Sequence, residues 1–439
     1  VTTQTDPRGG PIMLHPDSTA PGPTTIDRAT CESLDAADPL APFRERFDLP
    51  DGIVYLDGNS LGALPRATRA HVDRVIAEEW GIGLIRSWND AGWFAKPQSV
   101  GDRIAPLIGA AEGEVVLGDS TSGSLFQVVT AAARLRPDRN VIVAEHGSFP
   151  TDLYVIEAVQ SMAGGATPLE RRLVRDGGPA LDELLGDDVA VVVLTHVDYR
   201  TGRMHDLAEV TARVHEAGAI MVWDLCHSVG AVPIDLGAAG ADFAVGCTYK
   251  YLNGGPGSPS FMWAASRHHE AARPAVTGWH GHARPFDFEI GYEPMSGIGR
   301  FRVGTPQLLS LAALEASLDI WAEVDMSLVR EKSLRLTELF MALVDRRLGA
   351  WPIEVVTPRR STRRGSQVAL RHEDGYAVMQ ALIERGVIGD FRAPDLMRFG
   401  FTPLYVTHAD VWDAVESLHD VLESEVWREP RFAHRSAVT

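Results

Sequence analysis

Lysine is nearly missing from this chain. Only Lys96, Lys250 and Lys332 occur among 41 basic residues, the rest being arginine. Cysteine is also scarce: Cys31, Cys226 and Cys247 are odd in number and lack metal-ligand spacing. That excludes a disulfide framework, leaves no metal site to expect, and fits a reducing compartment. Positive charge is in deficit, with 59 acidic residues against 41 basic and a net charge of −18. Nucleic acid and anionic membrane surfaces are therefore poor partners, since both need clustered positive charge. A small anionic ligand remains compatible, because backbone N–H groups at a helix start can hold one. The longest aliphatic run, near Val189–Leu194, is far too short to span a bilayer. No basic region followed by an apolar stretch opens the sequence, so no signal peptide is expected, and a cytoplasmic location is.

What is present is ordinary globular material: 439 residues, 45% hydrophobic and 23% charged, enough for two domains. Residues 1–40 are rich in Pro, Thr, Gly and Asp and have no periodicity. They read as an arm, disordered or draped over a partner subunit. A short strand at Val54–Leu56 leads into the turn Asp57-Gly58-Asn59-Ser60. Arg66 to Trp80 has helical spacing, with Val72, Val75 and Ile76 on one face.

Between about 115 and 265 strands and helices alternate. Val141–Ala144, Val189–Thr195, Ala219–Asp224, Asp242–Thr248 and Ser260–Ala264 are short, almost wholly apolar runs that suit strands buried on both faces. A helix at Asp206–Ala217, ended by Gly218, lies between two of them. The order predicts an α/β fold with a mostly parallel central sheet, and ligands at the carboxyl ends of its strands. After about 310 a long helix is expected over Leu308–Leu348. A helix at Tyr376–Arg385, a strand at Met397–Phe399 and a last helix at Asp410–Leu422 follow, a smaller α+β C-terminal domain. The expected division is an arm at 1–50, a large domain at 51–308 and a small one at 309–439.

The chemistry concentrates between Asp224 and Lys250. Asp224 is the first polar group after the strand Ile220-Met221-Val222-Trp223, with His227, Ser228 and Gly230 close behind. A second strand then reaches Thr248-Tyr249-Lys250 and the glycine-rich Asn253-Gly254-Gly255-Pro256-Gly257. Pyridoxal phosphate needs such a pair: a lysine for its aldehyde and a carboxylate to keep its pyridine nitrogen protonated. Each residue alone has a plain reading, a helix cap for Asp224 and a surface lysine for Lys250; together they exceed it. Lys96 lies in a loop and Lys332 on an exposed-looking helix face, neither with an acid at a preceding strand end. Asp119-Ser120-Thr121-Ser122-Gly123-Ser124 precedes a helix and could bind a phosphate or simply cap the helix. Phe149, in Phe149-Pro150-Thr151-Asp152, could stack on a ring or be a core aromatic.

Asp224-x-x-His227-Ser228-x-Gly230 leading to Tyr249-Lys250 resembles the class V aminotransferase branch of fold-type-I pyridoxal enzymes. More narrowly, the chain from about residue 50 resembles the bacterial kynureninases. The segments that carry this are 55–62, Gly83-Leu84-Ile85-Arg86-Ser87-Trp88, 149–152, Cys247-Thr248-Tyr249-Lys250-Tyr251-Leu252-Asn253-Gly254-Gly255, Gly278-Trp279-His280-Gly281-His282 and 398–405. The resemblance implies a fold-type-I fold, a homodimer with shared sites, and cleavage of L-kynurenine, or a ring-substituted kynurenine, by water to anthranilate, or a substituted anthranilate, and L-alanine in tryptophan catabolism. It implies that Lys250 holds the cofactor and Asp224 pairs with its ring nitrogen, while Phe149 stacks on the ring and Tyr249 shuttles a proton. Ser120, Thr121, Asp152, Thr195 and His227 would line the cofactor, and Trp279 and Thr305 its phosphate side from the other subunit. Arg398 would clamp the substrate α-carboxylate, and Ser60 and Trp88 would lie near its aryl end. Departures from the family are Ser122-Gly123-Ser124, where an Asn is frequent, and His280, where an aromatic such as Phe is expected. Three rivals remain: another class V aminotransferase, a desulfurase, which would need a cysteine on a mobile loop, and an inactive binding protein on the same fold.

Overall fold

The computed structural model describes residues 26–162 and 168–435. Its centre is a seven-stranded sheet: β1 (Val115–Leu117), β2 (Val141–Glu145), β3 (Glu170–Val174), β4 (Val189–Thr195), β5 (Ile220–Asp224), β6 (Phe243–Gly246) and β7 (Phe261–Ala264). The order across it is β1-β7-β6-β5-β4-β2-β3. Pairs among β3, β2, β4, β5 and β6 are parallel, and β7 runs antiparallel to both its neighbours. Every residue of β2, β4, β5, β6 and β7 is buried, which is why these strands read as unbroken apolar runs. The chain moves outward from β2 to β3, then reverses through β4, β5 and β6. The reversal leaves a crevice at the carboxyl ends of β2 and β4, the usual ligand position in open α/β sheets.

Two strands of this sheet escaped the sequence reading. β1 has only three residues, and β3, Glu-Arg-Arg-Leu-Val, is a half-exposed, charged edge strand with no apolar run to detect. The helix expected over Leu308–Leu348 is two helices, Leu308–Trp321 and Met326–Arg347. Asp325 separates them, its side chain capping the second by accepting from the Ser327 N–H at 2.8 Å. The helix from Arg66 shortens to Ala67–Arg74 and widens into a π-helical turn over Val75–Gly83; Ile76, expected on its buried face, is exposed.

A second, antiparallel sheet forms from β8 (Glu354–Val355), β9 (Gln367–Arg371), β10 (Asp390–Arg392) and β11 (Leu396–Gly400), in the order β8-β9-β11-β10. Helices Gly375–Glu384 and Met326–Arg347 pack on it, and His408–Glu423 packs against both of these helices. The expected arm lies partly outside the described residues. Its later part corrects the reading of a disordered or partner-draped segment: Arg28–Ala36 is a helix on this chain's own His408–Glu423, with Cys31 buried between them. Asp35 fixes the contact by accepting from the His408 and Ala409 N–H groups at 2.7 and 2.9 Å. Val54–Tyr55 pairs in parallel with Val387–Ile388, tying the segment before Asp57 to the C-terminal layer. Among the described residues no helix is long and apolar enough to cross a membrane.

Candidate active site

A cleft of about 620 Å³ opens where the large sheet's strand ends meet the second sheet. That is within the range of about 300–1,000 Å³ usual for small-molecule sites. Asp152, Thr195, Asp224, Tyr249 and Lys250 line it, with Ser120, Thr121, Phe149, His227, Ser60 and Arg398. Eleven residues expected from the sequence therefore meet in one place.

The backbone explains the convergence. Thr195 and Asp224 are the last residues of adjacent strands β4 and β5, paired directly in register. Asp152 enters from the helix Pro150–Met162 that follows β2, and Thr195 Oγ1 donates to its Oδ2 at 3.4 Å. Lys250 lies just beyond β6, in a loop pinned from two sides. The Asn253 N–H donates to the Lys250 carbonyl at 2.9 Å, and the Gly62 N–H to the Tyr249 carbonyl at 2.8 Å. A Cβ on Gly62 would come within 2.3 Å of the Lys250 carbonyl oxygen, so only glycine allows this approach.

Lys250 Nζ lies 2.9 Å from His227 Nε2. The tautomer follows from the next residue. Gln367 uses its amide Nε2 on the Asp198 and Tyr199 carbonyls at 3.2 and 2.9 Å, so its Oε1, 3.2 Å from His227 Nδ1, must accept. His227 Nδ1 is therefore protonated and Nε2 accepts from the lysine. Burial, then the positive charges of Lys250 and Arg398, pushes this imidazole well below its ordinary pKa and keeps it neutral. The other two lysines are committed elsewhere. Lys96 pairs with Glu315 at 2.9 Å. Lys332 corrects the exposed reading: it is buried, 2.6 Å from Asp38 and 2.6 Å from the Pro403 carbonyl. Lys250 alone among the three has no carboxylate in salt-bridge range among the described residues.

Asp224 is buried and accepts from the Cys226 N–H through Oδ1 at 2.7 Å; Oδ2 has no hydrogen-bond partner among the described residues. Burial, then the negative charge of Asp224, raises the neighbouring Asp152 well above the carboxylate range. Burial also raises the Tyr249 phenol, so it stays a neutral O–H. Ser120, also lining the cleft, caps the helix Thr121–Arg134, accepting from the Gly123 N–H at 3.3 Å, and the exposed helix start remains open to an anion. Cap and anion site are thus compatible readings. Phe149 is 45% exposed and meets Tyr199 edge-on, ring centroids 5.2 Å apart, leaving ring surface open. This donor set fits pyridoxal phosphate: an amine for its aldehyde, a buried carboxylate for its ring nitrogen, an aromatic face and a helix start for its phosphate.

The structure does not bring Trp88, Trp279 or Thr305 into this cleft of their own chain. Trp88 and Trp279 pack together 5.5 Å apart, beside the buried His280 and Phe94. Thr305 lines a separate cavity of about 130 Å³ with Gly118 and Gln307. Sequence reading also missed residues the cleft uses: Gln367, Asn59, Ser258, Gln307 and Arg392. Asn59 had a signal in the turn Asp57-Gly58-Asn59-Ser60, and Arg392 one as a charged residue two positions before a proline; the others reach the site through tertiary packing. The cysteines do not suit a desulfurase. Cys226 and Cys247 are buried, and Cys226 is raised by its contact with Cys247 and then by burial, away from a reactive thiolate.

Comparison with known proteins places these features. The family model for the kynureninase C-terminal domain matches residues 329–418. A kynureninase of Burkholderia pseudomallei (strain K96243) is 55% identical over 412 residues, 93% of this chain and 98% of the relative. The kynureninase of Pseudomonas fluorescens is 52% identical over 416 residues, 94% and 99% of the two chains. Among solved structures, a cysteine desulfurase from Escherichia coli superposes with a TM-score of 0.71 at 21% identity, covering 88% of this chain and 98% of its own. That likeness is one of fold, the fold-type-I arrangement expected from the sequence.

Proposed function

This chain belongs to the kynureninase family, and from that premise we propose that Lys250, Asp224 and Tyr249 carry its chemistry and Arg398 its substrate recognition. The protein is a pyridoxal-phosphate-dependent hydrolase that cleaves a carbon–carbon bond of L-kynurenine, giving anthranilate and L-alanine. The observation that carries the residue assignment is Lys250, the one lysine held by a neutral imidazole rather than a carboxylate, across a cleft from buried Asp224.

When bound, the cofactor supplies an electron sink for bonds at the substrate's α-carbon. Asp224 would hold a proton on the ring nitrogen, and its burial would strengthen that ion pair. Lys250 would hold the cofactor's aldehyde, and its Nζ, when free, would take the substrate's α-proton; His227 Nε2, its hydrogen-bond acceptor, orients it. Tyr249, kept neutral by burial, delivers and recovers a proton beside Lys250, whose Nζ lies 5.8 Å from its ring centroid. Phe149, His227, Asp152 and Thr195, which line the cleft, would hold the cofactor's ring, and Ser120 and Thr121 its phosphate. Arg398 would bind the α-carboxylate; Ser60, expected near the substrate's aryl end, lies 3.1 Å from its Nη2.

The small-molecule substrate needs no macromolecular partner beyond a second copy of the chain. We assign a homodimer in which Trp88, Trp279 and Thr305, outside their own chain's cleft, complete the partner's site. Exposed Trp80, Ile82, Leu84 and Ile85 beside Trp88 suit such an interface. A cytoplasmic location fits three free cysteines. We propose a large cofactor-binding domain at 51–308 and a small domain at 309–439, joined by the pairing of Val54–Tyr55 with Val387–Ile388.

The direct test is product release from L-kynurenine: anthranilate by fluorescence and L-alanine by amino-acid analysis. Equal amounts of both, without added keto acid, are expected. Keto-acid-dependent transfer without anthranilate would instead identify an aminotransferase.

A further inference from the structure

Arg398 has little of its guanidinium to spare. Its Nε donates to Asp390 Oδ1 at 2.7 Å, and Nη2 is bonded to Asp390 Oδ2 and lies 3.1 Å from Ser60 Oγ. Nη1 is bonded to the Tyr199 carbonyl. Of the five N–H donors of an arginine, four are committed and one on Nη1 remains. A single N–H cannot grip a carboxylate bidentately, the geometry that makes arginine selective for that group.

A second guanidinium stands beside it. Asp390 is directly opposite Arg398 in the β10–β11 register, and Arg392 follows two residues on, on the same strand face as Asp390. Arg392 Nη2 shares Asp390 Oδ2 at 2.7 Å, and Nη1 donates to the Phe391 carbonyl at 3.2 Å. Nε and the second Nη1 hydrogen have no partner among the described residues. The side chain is 32% exposed and lines the cleft that holds Lys250. Charge counting gives the same answer. Two guanidiniums share one carboxylate, Asp390, and among the described residues the only other acid at the cluster is half-buried Asp57, whose buried Oδ1 has no hydrogen-bond partner there. Burial, then the Asp390 charge, pushes Asp57 up to about 7, so near neutrality the cluster keeps unbalanced positive charge.

We propose that Arg392 is the second arm of the substrate-carboxylate clamp, gripping the α-carboxylate together with the spare N–H of Arg398, while Asp390 positions both guanidiniums. The inference rests on the kynurenine-cleaving reading of this site and adds a specificity-determining residue to it. Arg392 reads the anionic group that separates an amino acid from an amine or an amide.

The test uses the holoenzyme and two ligands, L-alanine and L-alaninamide, with binding read from the cofactor's visible spectrum, beside KM and kcat for L-kynurenine. In Arg392→Gln the dissociation constant of L-alanine and the KM should rise about 10- to 100-fold, the worth of charge-assisted hydrogen bonds. L-Alaninamide binding should stay within about threefold, and kcat should fall far less than kcat/KM, as for lost substrate binding. Preference for acid over amide therefore drops by the same 10- to 100-fold. Arg392→Lys keeps the charge without the planar fork and should lose part of that preference. It also serves if the Gln variant does not fold. An acid-over-amide preference unchanged in the folded variant overturns the proposal. A wild-type enzyme that binds L-alanine in preference to the amide but releases no anthranilate would instead sink the functional reading and leave the clamp standing.

Discussion

The buried carboxyl of Asp57 should set the pH range over which the carboxylate clamp works. Burial is the largest influence on it and the Asp390 charge the next; the Ser60 hydrogen bond and the charges of Arg398 and Arg392 pull the other way, and the balance falls at about 7. Of this coupled pair Asp390 keeps the negative charge, because Arg398 bonds it through two nitrogens and Arg392 through a third. The proton therefore resides on Asp57. Tyr55, Tyr251 and Tyr405 also lie near Asp57, and burial raises all three phenols, so none offers it a charge at neutral pH. Below 7 Asp57 is neutral and the arginine pair can accept an anion; above 7 it ionises and cancels that charge. If only the protonated form accepts substrate, KM for L-kynurenine should rise about tenfold per pH unit above 7. Asp57→Asn fixes the neutral state and should abolish that rise. The assay is steady-state turnover from pH 5.5 to 9 at constant ionic strength, reported as the variant-to-wild-type ratio of KM. Deprotonation of the substrate amine cancels in the ratio. A ratio that does not change with pH would refute the role given to Asp57.

Two further outcomes concern stability. Lys332→Met leaves Asp38 buried without its cation, so it should lower stability by about 3–5 kcal/mol and Tm visibly in a thermal melt, whereas Lys96→Met should cost much less. Asp242 accepts from His215, His268, Arg267 and the Met221 N–H at 2.6 to 2.8 Å; burial alone would raise it, but these bonds hold it far below the ordinary carboxylate range. The folded pKa is depressed, so this stabilisation is full above the unfolded value of about 3.9 and is lost as pH falls below it. Asp242→Asn should therefore narrow the gap between neutral and acid stability in urea titrations; an equal gap in both proteins would contradict this.

The parallel core was legible because its strands are buried on both faces, and burial writes itself as apolar runs at Val189–Thr195 and Ile220–Asp224. Asp224 and Lys250 were legible because chemistry placed polar groups at the ends of such runs. The charged edge strand Glu170–Val174 was not, since half its surface meets water. Lys332 misled because nothing near it in sequence announces Asp38, which arrives from the N-terminal segment. Gln367 was invisible for the same reason: it stands 140 residues from the histidine whose tautomer it fixes. The division of labour between Arg398 and Arg392 depends on donors already spent on Asp390, Ser60 and Tyr199, a count only three-dimensional structure supplies.

With three lysines in the whole chain, one measurement isolates the central assignment. The holoenzyme is reduced with borohydride, digested and mapped by mass spectrometry. The cofactor mass should appear on the peptide containing Lys250, stoichiometrically, with Lys96 and Lys332 unlabelled; label on either of those, or none at Lys250 in a yellow preparation, would contradict it.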